Sequence, residues 1–347
     1  MSKANELTFI QVKERNVYLV KQALLNQGSG TKQSIAKDTG LSVTTCGSIL
    51  NELFESNEVL LVEEPSSKSI GRPAKSYKIN ANHKLICCFY LVRLADKCSY
   101  NYQFHVLNMN RETIAERSIE AKDHSFDEIE LHLKEIIDEY PSIDIISFGI
   151  SGYSVDGEWR GSWGVLHLNG RDVASDLSAS LGRRVIMEND MNAISYGIYK
   201  SIYEDSDVET LVSIAFFGNS AMGSGIIHNG SILEGYKHFA GEIGKTPIPH
   251  RIKKINKVPE RQITDEEFFE NAAFILRIYA TILNPEICVF IGGGRVNQEF
   301  ANNVLESVSE DIPKELLPKI YYVENYEQFY SIGLFNIALD IILDAPN

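Results

Sequence analysis

The sequence predicts an α/β body preceded by a small helical module that ends in a hairpin. Three observations carry this. From residue 85 onward, apolar runs that close on glycine loops alternate with amphipathic helical stretches, the pattern of sheets that hold a ligand at their strand ends. Residues 31–54 contain two short helical patterns joined at Gly40. The charge is also divided. Residues 1–84 carry 11 Lys+Arg and 8 Asp+Glu, a net of +3; the remaining 22 and 39 leave residues 85–347 at −17.

At 347 residues the chain is long enough for two or three domains with sizeable cores. With 44% hydrophobic and 23% charged residues it has the composition of an ordinary globular protein. A net charge of −14 argues against polyanion binding by the whole surface, but leaves room for a local basic module. The apolar run LICCFYLV at 85–92 is far too short to span a bilayer. The N-terminus lacks the apolar core of a signal peptide, so a cytoplasmic location is expected. Five cysteines without CxxC or Cys/His spacing predict reduced thiols, with Cys87 and Cys88 as core residues.

In the first module, Val12, Val17, Leu19, Val20, Ala23, Leu24 and Leu25 recur at helical spacing up to Gly28. Thr31 is placed to cap a second helix, Gly40 to turn the chain, and Ser42 to cap a third. Ile49, Leu50, Leu53 and Phe54 are expected on the buried face of that third helix. Its outward residues Val43, Thr44, Thr45 and Ser48 are small enough to meet base edges in a major groove. Val59–Val62 and Tyr77–Ile79 read as two strands of a wing whose tip carries Lys68, Arg72 and Lys75. Gly71, Arg72 and Pro73 suit a minor groove. The expected DNA contacts are Thr44, Thr45, Ser48, Lys68, Arg72 and Lys75; the competing reading is a protein–protein adaptor with a solvated basic loop.

In the body, residues 99–116 read as two strands about a turn at 108–110, residues 125–140 as an amphipathic helix, and residues 143–152 as a buried strand entering a glycine loop. Residues 211–232 read as a strand, a turn and a return strand. A long helix opens on the capping pair Thr264/Glu267 and stops at Asn284-Pro285, and residues 286–296 form a strand into a triple-glycine loop. The segment VIMENDMNAISYG at 185–197 places Glu188, Asn189, Asp190 and Asn192 within five positions. Asp190 is open there to three roles: proton abstraction, ligand gripping, or a helix cap.

A winged helix followed by GISG, ENDMNA, GSGIIHNG, AGEIG and NPEICVFIGGG, in that order, resembles the ROK family of repressors and sugar kinases over roughly residues 12–340. The resemblance implies two actin-like (ribonuclease-H-like) α/β lobes around a ligand cleft. It also implies sugar binding by Asn189, Asp190 and Glu242; in the kinases the residue matching Asp190 is the base. Departures matter. Family kinases carry an Asp-x-Gly-Gly-Thr phosphate loop where this chain reads CFYLVRLADKCSYNY, with no glycine. The second phosphate loop is reduced to NSAMG at 219–223, where only Gly223 matches and Ser220 stands in the Thr position. The family's zinc-binding His is replaced by Lys245, and no cysteine follows until Cys288.

Lys245 suits an anionic sugar if it faces Asp190 and Glu242, or else a surface salt bridge. Arg251, Lys253, Lys254 and Lys257 read as a solvated loop or as contacts to DNA or an anionic ligand, and His228 and His238 as turn or surface residues. The expectation is a sugar-responsive DNA-binding regulator, in the repressor sense, without catalysis, cofactor or metal. Its DNA-binding domain spans residues 1–82 and its sensing and dimerising body residues 83–347. Expected ligand contacts are Asn169, Asn189, Asp190, Glu242 and Lys245. Expected partners are operator DNA, a sugar or sugar phosphate, and further copies of the chain in a homodimer or tetramer, with no membrane. Two alternatives stand beside it: a ROK-type sugar kinase with residual activity, and a body that only dimerises, with Asp190 and Asn192 as loop hydrogen-bond groups or a cap.

Overall fold

A computed structural model describes residues 9–62, 75–93, 100–122, 124–161, 166–204, 206–217, 221–250, 254–255, 258–259 and 262–343. The N-terminal segment forms α1 (Phe9–Gln27), β1 (Gly30–Thr31), α2 (Lys32–Thr39), α3 (Val43–Glu55), β2 (Val59–Val62) and β3 (Ser76–Ile79), with the strands ordered β1-β3-β2. The local chemistry is as the sequence foretells. The Thr31 hydroxyl accepts from the Ser34 amide at 3.1 Å, and Ser34 Oγ accepts from the Thr31 amide at 3.0 Å, a closed capping box. Gly40 ends α2 at φ 70°, and Ser42 Oγ accepts from the Thr45 amide to open α3. Val20, Leu24, Ile35, Leu50, Leu53 and Val59 make the core.

One expectation is corrected. Phe54 is 45% exposed. Ile49, Leu50 and Leu53 already fill the inward arc of α3, and one further residue turns the next side chain by about 100°, out of that arc. Lys68 and Arg72 lie outside the described residues, as does most of the wing; Lys75 is exposed.

The body contains the same sheet twice. In the first, β4 (Leu85–Arg93), β5 (Tyr100–Asn108) and β6 (Thr113–Glu120) form an antiparallel meander, and α4 (Phe126–Glu139) leads into β7 (Ile143–Ile150), parallel to β4. A hairpin of β8 (Gly152–Val155) and β9 (Glu158–Gly161), then α5 (Val173–Leu181), precede β10 (Arg184–Asn189), parallel to β7. α6 (Asp190–Ile198) follows without a loop. In the second sheet, β11 (Thr210–Phe217), β12 (Ala221–His228) and β13 (Ser231–Ile232) repeat the meander; β14 (Lys254–Ile255) and β15 (Val258–Pro259) pair separately. Then α7 (Asp265–Ile282), β16 (Ile287–Gly292), α8 (Gln298–Val308), β17 (Lys319–Val323) and α9 (Glu327–Ile342) complete the lobe. The orders β10-β7-β4-β5-β6 and β13-β12-β11-β16-β17 are one topology: a three-strand meander extended by two parallel strands beside its first member.

α6 and α9 hold equivalent places after the last strand of each sheet, yet each packs across the molecule. α6 lies on β12 and β11 of the second sheet, α9 on β7 and β4 of the first, and the two helices cross each other. The crossing is a backbone contact. A Cβ on Gly197 would sit 2.7 Å from the Phe329 carbonyl carbon and 2.9 Å from the Gly333 nitrogen; one on Gly333 would sit 2.6 Å from the Ala193 carbonyl carbon. Real Cβ atoms do not approach that closely, so either methyl must push the helices apart.

Gly197→Ala and Gly333→Ala are each expected to destabilise the chain by about 1–3 kcal/mol, the range for overpacking. Gly293→Ala, with nothing within 4 Å of the added carbon, is expected to change stability by less than about 0.5 kcal/mol. Urea denaturation of the three variants checks this, and equal midpoints would refute the tight crossing.

Candidate ligand cleft at the start of the interlobe helix

β10 delivers the sequence Glu188-Asn189-Asp190 to the base of α6, where the first four amides lack intrahelical acceptors. The cap is Asn189, rather than Asp190 or Asn192. Its Oδ1 accepts from the Met191 amide at 2.8 Å and the Asn192 amide at 3.1 Å, while its Nδ2 donates to the Gly152 carbonyl at 2.6 Å. Asn189 thus ties the helix start to the glycine loop after β7. Asn192, 5% exposed, donates to Glu188 Oε1 at 2.9 Å, and the Asn189 amide reaches the same oxygen at 2.8 Å.

Asp190 is the first residue of α6. Its Oδ1 accepts from the Met191 amide at 2.8 Å, and the carboxylate also bonds the Ser151 side chain. It keeps some solvent-reachable surface, but protein atoms surround it densely. Burial pushes its pKa up to about 6, against the pull of those hydrogen bonds. Burial also raises Glu188 and Glu242, and the Asp190 charge raises Glu242 further while Lys245 opposes it. These couplings bring Asp190, Glu242 and Lys245 into one electrostatic neighbourhood, with Glu188 beside it.

Glu242 comes from the second lobe, where a tight clamp positions it. Gly241, at φ 84°, presses against β12: its carbonyl accepts from the Ser224 hydroxyl at 2.9 Å and the Ser224 amide at 3.2 Å. A Cβ at Gly241 would lie 3.2 Å from the Ser224 carbonyl carbon, so only glycine fits. Lys245 follows on an exposed turn and makes no ion pair among the described residues. Asn169 stands apart. It is exposed, and its Oδ1 accepts from the Gly161 amide at the end of β9; nothing described joins it to Asp190 or Glu242. His228 bonds Thr210 Oγ1 at 2.9 Å and His238 pairs with Glu234 at 2.9 Å. The residues do not fit a zinc ion. Lys245 offers an ammonium, and both His250 ring nitrogens face carboxylates of α7, Glu267 and Glu270.

Sequence reasoning passed over an aromatic group on the other flank. Tyr330 of α9 is 3% exposed and feels the charge of Asp190. Its ring lies on Gly149, where a Cβ would meet the hydroxyl at 2.5 Å, and packs on Tyr90 with centroids 4.4 Å apart. Tyr90 in turn bonds His105 Nε2 at 3.0 Å. Tyr330 is 140 positions from Asp190 and belongs to no motif, so only the crossing of α9 over β7 brings it here.

Two repeated five-strand sheets, exchanged helices and a carboxylate between them define an actin-like (ribonuclease-H-like) two-lobed protein. Comparison places it more closely: residues 100–261 match the model of the ROK family. A xylose repressor of Staphylococcus xylosus is 27% identical over 275 residues, covering 77% of this chain and 68% of that protein. An N-acetyl-D-glucosamine kinase of Vibrio parahaemolyticus is 33% identical over 82 residues, and the match spans 26% of that kinase. Among solved structures, a ROK family transcriptional regulator described as a homologue of the E. coli Mlc protein superposes with TM-score 0.70 at 16% identity, covering 96% of this chain and 97% of that one. The ROK hexokinase of Thermus thermophilus superposes at 0.55, with 14% identity over 72% of this chain and 97% of that one. At these identities the superpositions establish the fold. Among the described residues no helix is long and apolar enough to cross a membrane.

The raised pKa of Asp190 has a definite consequence for stability. Its folded value, about 6, exceeds its unfolded one, so the unfolded chain releases this proton first. The stabilisation present below about pH 4 is lost as pH rises through 6. Asp190→Asn removes that loss and is expected to stabilise the ligand-free protein by about 1–2 kcal/mol at pH 7.5, with little effect near pH 4. Thermal melts at the two pH values check it; a variant less stable at pH 7.5 would mean that the Ser151 and Met191 bonds outweigh the burial of charge.

Proposed function

We propose that the chain is a sugar-responsive, DNA-binding transcriptional repressor, with residues 1–82 as the DNA-binding module and residues 83–347 as a non-catalytic sensing body that self-associates. The observation that carries this reading is the span of α6. Its first residue, Asp190, stands in the cleft. Its last turn holds Tyr196, whose hydroxyl donates to Asp340 Oδ2 of α9 at 2.9 Å. Asp340 and Lys200 both act on the Tyr18 hydroxyl of α1, whose pKa burial raises. Tyr18 and Val20 of the module share one apolar cluster with Tyr196, Ile198, Phe335 and Leu343 of the body. A ligand that shifts α6 therefore acts on the module through direct packing.

On the DNA side, Thr44 and Ser48 are exposed on α3, while Thr45 lies closer in, its hydroxyl 2.8 Å from that of Ser42. Thr44 and Ser48 are assigned to base edges, Thr45 to the opening of the helix, and Lys68, Arg72 and Lys75 to the phosphates and minor groove. In the cleft, Asp190 and Glu242 accept from sugar hydroxyls, and Lys245 adds a donor at the rim. Asn189 orients Asp190 by capping α6. Asn169 stays a rim residue available only if its bond to Gly161 opens. The relative named xylose repressor, and its coverage of both chains, support a pentose or hexose as the effector. Self-association in a dimer or tetramer matches the reading of a repeated operator by paired modules.

A second reading, a sugar kinase, draws on the pKa of about 6, which suits a base near neutral pH. Against it, phosphoryl transfer depends on positioned phosphates and metal ions beside the acceptor. Here the neighbours of Asp190 are the packed phenols Tyr330 and Tyr326, and of the kinases' glycine loops the first is absent and the second keeps only Gly223.

Two measurements test the proposal. Calorimetric titration with xylose, glucose and N-acetylglucosamine is expected to find a binder whose affinity falls about 10- to 100-fold in Asp190→Asn, the loss of a charge-assisted hydrogen bond. Operator affinity without sugar, by fluorescence anisotropy, stays unchanged in that variant. Sugar-dependent ADP formation that vanishes in Asp190→Asn would instead establish the kinase. For the wing, Arg72→Ala is expected to weaken operator binding and reduce its dependence on salt by about one counterion; an unchanged salt slope would remove Arg72 from the interface.

A further inference from the structure

A cavity of 710 Å³ lies beside Phe335, Asn336 and Leu339 of α9, where the N-terminal module meets the body. Its walls come from three places: the end of α1 and strand β3 of the module, the linker at 80–82, and the body's turn at 108–112 with the outer half of α9. Voids between packed elements are usually small and apolar. This one is neither. Its volume falls within the range of about 300–1,000 Å³ typical of small-molecule sites. Asn26, Asn80, Asn82, Asn110 and Asn336 line it, and the carboxamides of Asn26 and Asn110 make no hydrogen bond among the described residues.

The walls are held in place. The linker residue Asn80 donates from Nδ2 to the Asn57 carbonyl at 2.9 Å on the module side. On the body side, the Met109 amide donates to the Ala81 carbonyl at 3.0 Å, and Asn108 Nδ2 donates to Asn82 Oδ1 at 3.0 Å. Neither module nor body can move at this seam without breaking those bonds, so the space is preformed.

Its charge is distinctive in a chain of net −14. Lys78 and Arg111 line the cavity, and neither makes an ion pair or hydrogen bond through its side chain among the described residues. Arg111 occupies the left-handed region at φ 61°, where a turn ordinarily places Gly or Asn. The one carboxylate in the lining, Glu112, is already engaged by Asn108 Nδ2 at 2.7 Å. Carboxamides both donate to and accept from hydroxyls, and two uncommitted cations suit a phosphate.

We propose that this junction cavity is a second effector site, separate from the interlobe cleft, and that it takes a phosphorylated small polyol of sugar-phosphate size. Lys78 from the module and Arg111 from the body bind the phosphate together, and the carboxamides bind the hydroxyls. A ligand there bridges module and body directly and so resists their relative motion.

The experiment uses the full chain and glucose 6-phosphate as probe, with glucose and inorganic phosphate as controls, in calorimetric titrations at fixed ionic strength. A Lys78→Met/Arg111→Met double variant is expected to bind glucose 6-phosphate about tenfold or more weakly than wild type, with its affinity for neutral glucose in the cleft unchanged. Both side chains are exposed, so the double variant should melt like wild type, which thermal denaturation checks. Glucose 6-phosphate binding that survives the double variant but is lost in Asp190→Asn or Lys245→Met would place the phosphate ester in the cleft and overturn the proposal. So would no binding at millimolar concentration, or weakening by the double variant that inorganic phosphate reproduces in full. The cleft reading stands or falls separately, on whether Asp190→Asn weakens the neutral sugars.

Discussion

The backbone crossing of α6 and α9 at Gly197 and Gly333 is the constraint on which the rest of the molecule depends. Each helix is wired to one sheet and packed on the other, so the two lobes are clamped by exchanged parts. Side chains at the crossing would raise the interaxial distance and lift Met191 from β12, where a Cβ on Gly225 would already meet the Met191 carbonyl carbon at 2.8 Å. The same closeness sets the cleft. It fixes where α6 begins, hence where Asp190 points, and it swings Tyr330 of α9 over Gly149 on the floor.

Around Asp190 two electrostatic effects oppose each other. The helix start and the Ser151 and Met191 hydrogen bonds favour the carboxylate; the surrounding protein disfavours it, and burial wins. Glu188 and Glu242 are pushed the same way. A cleft that sets these carboxyls beside the Lys245 ammonium holds acceptors and a donor together, which suits a polyhydroxylated ligand that presents both.

The module is joined to this body by more than a linker. Its core merges with the far ends of α6 and α9, and a partly buried ion pair ties its own parts together. Lys21 of α1 is 6% exposed and holds Glu58, at the entry to β2, at 2.9 Å. Burial alone would raise the Glu58 pKa, but the hydrogen bond and charge of Lys21 bring it below the ordinary range. Losing Glu58 would strand the Lys21 ammonium in the interior. The pair therefore favours one placement of α1 against the wing strands, and through Tyr18 one placement against α9.

Much of this was legible in the chain. Caps, turns and strand runs are local, and local chemistry specified them: Thr31 with Ser34, Gly40, Ser42, Thr264 with Glu267, and the apolar strands at 85–93, 143–150 and 287–292 all appear where the residues point. The family resemblance, rather than local chemistry, singled out Asn189, Asp190 and Glu242, and the fold brings the charges of Asp190 and Glu242 together. What the sequence could not decide was everything made by distant segments meeting. It offered Asp190 or Asn192 as a cap, but the loop after β7 comes within reach of Asn189 instead. It gave no sign of Tyr330, which reaches Asp190 only through a helix exchanged between lobes. Nor did it show the cavity at the module seam, whose walls lie far apart in the chain. Local propensity acts over a turn of helix or a hairpin, whereas burial, pKa and cavity shape depend on which surfaces the closed fold presses together, and only the tertiary structure decides that.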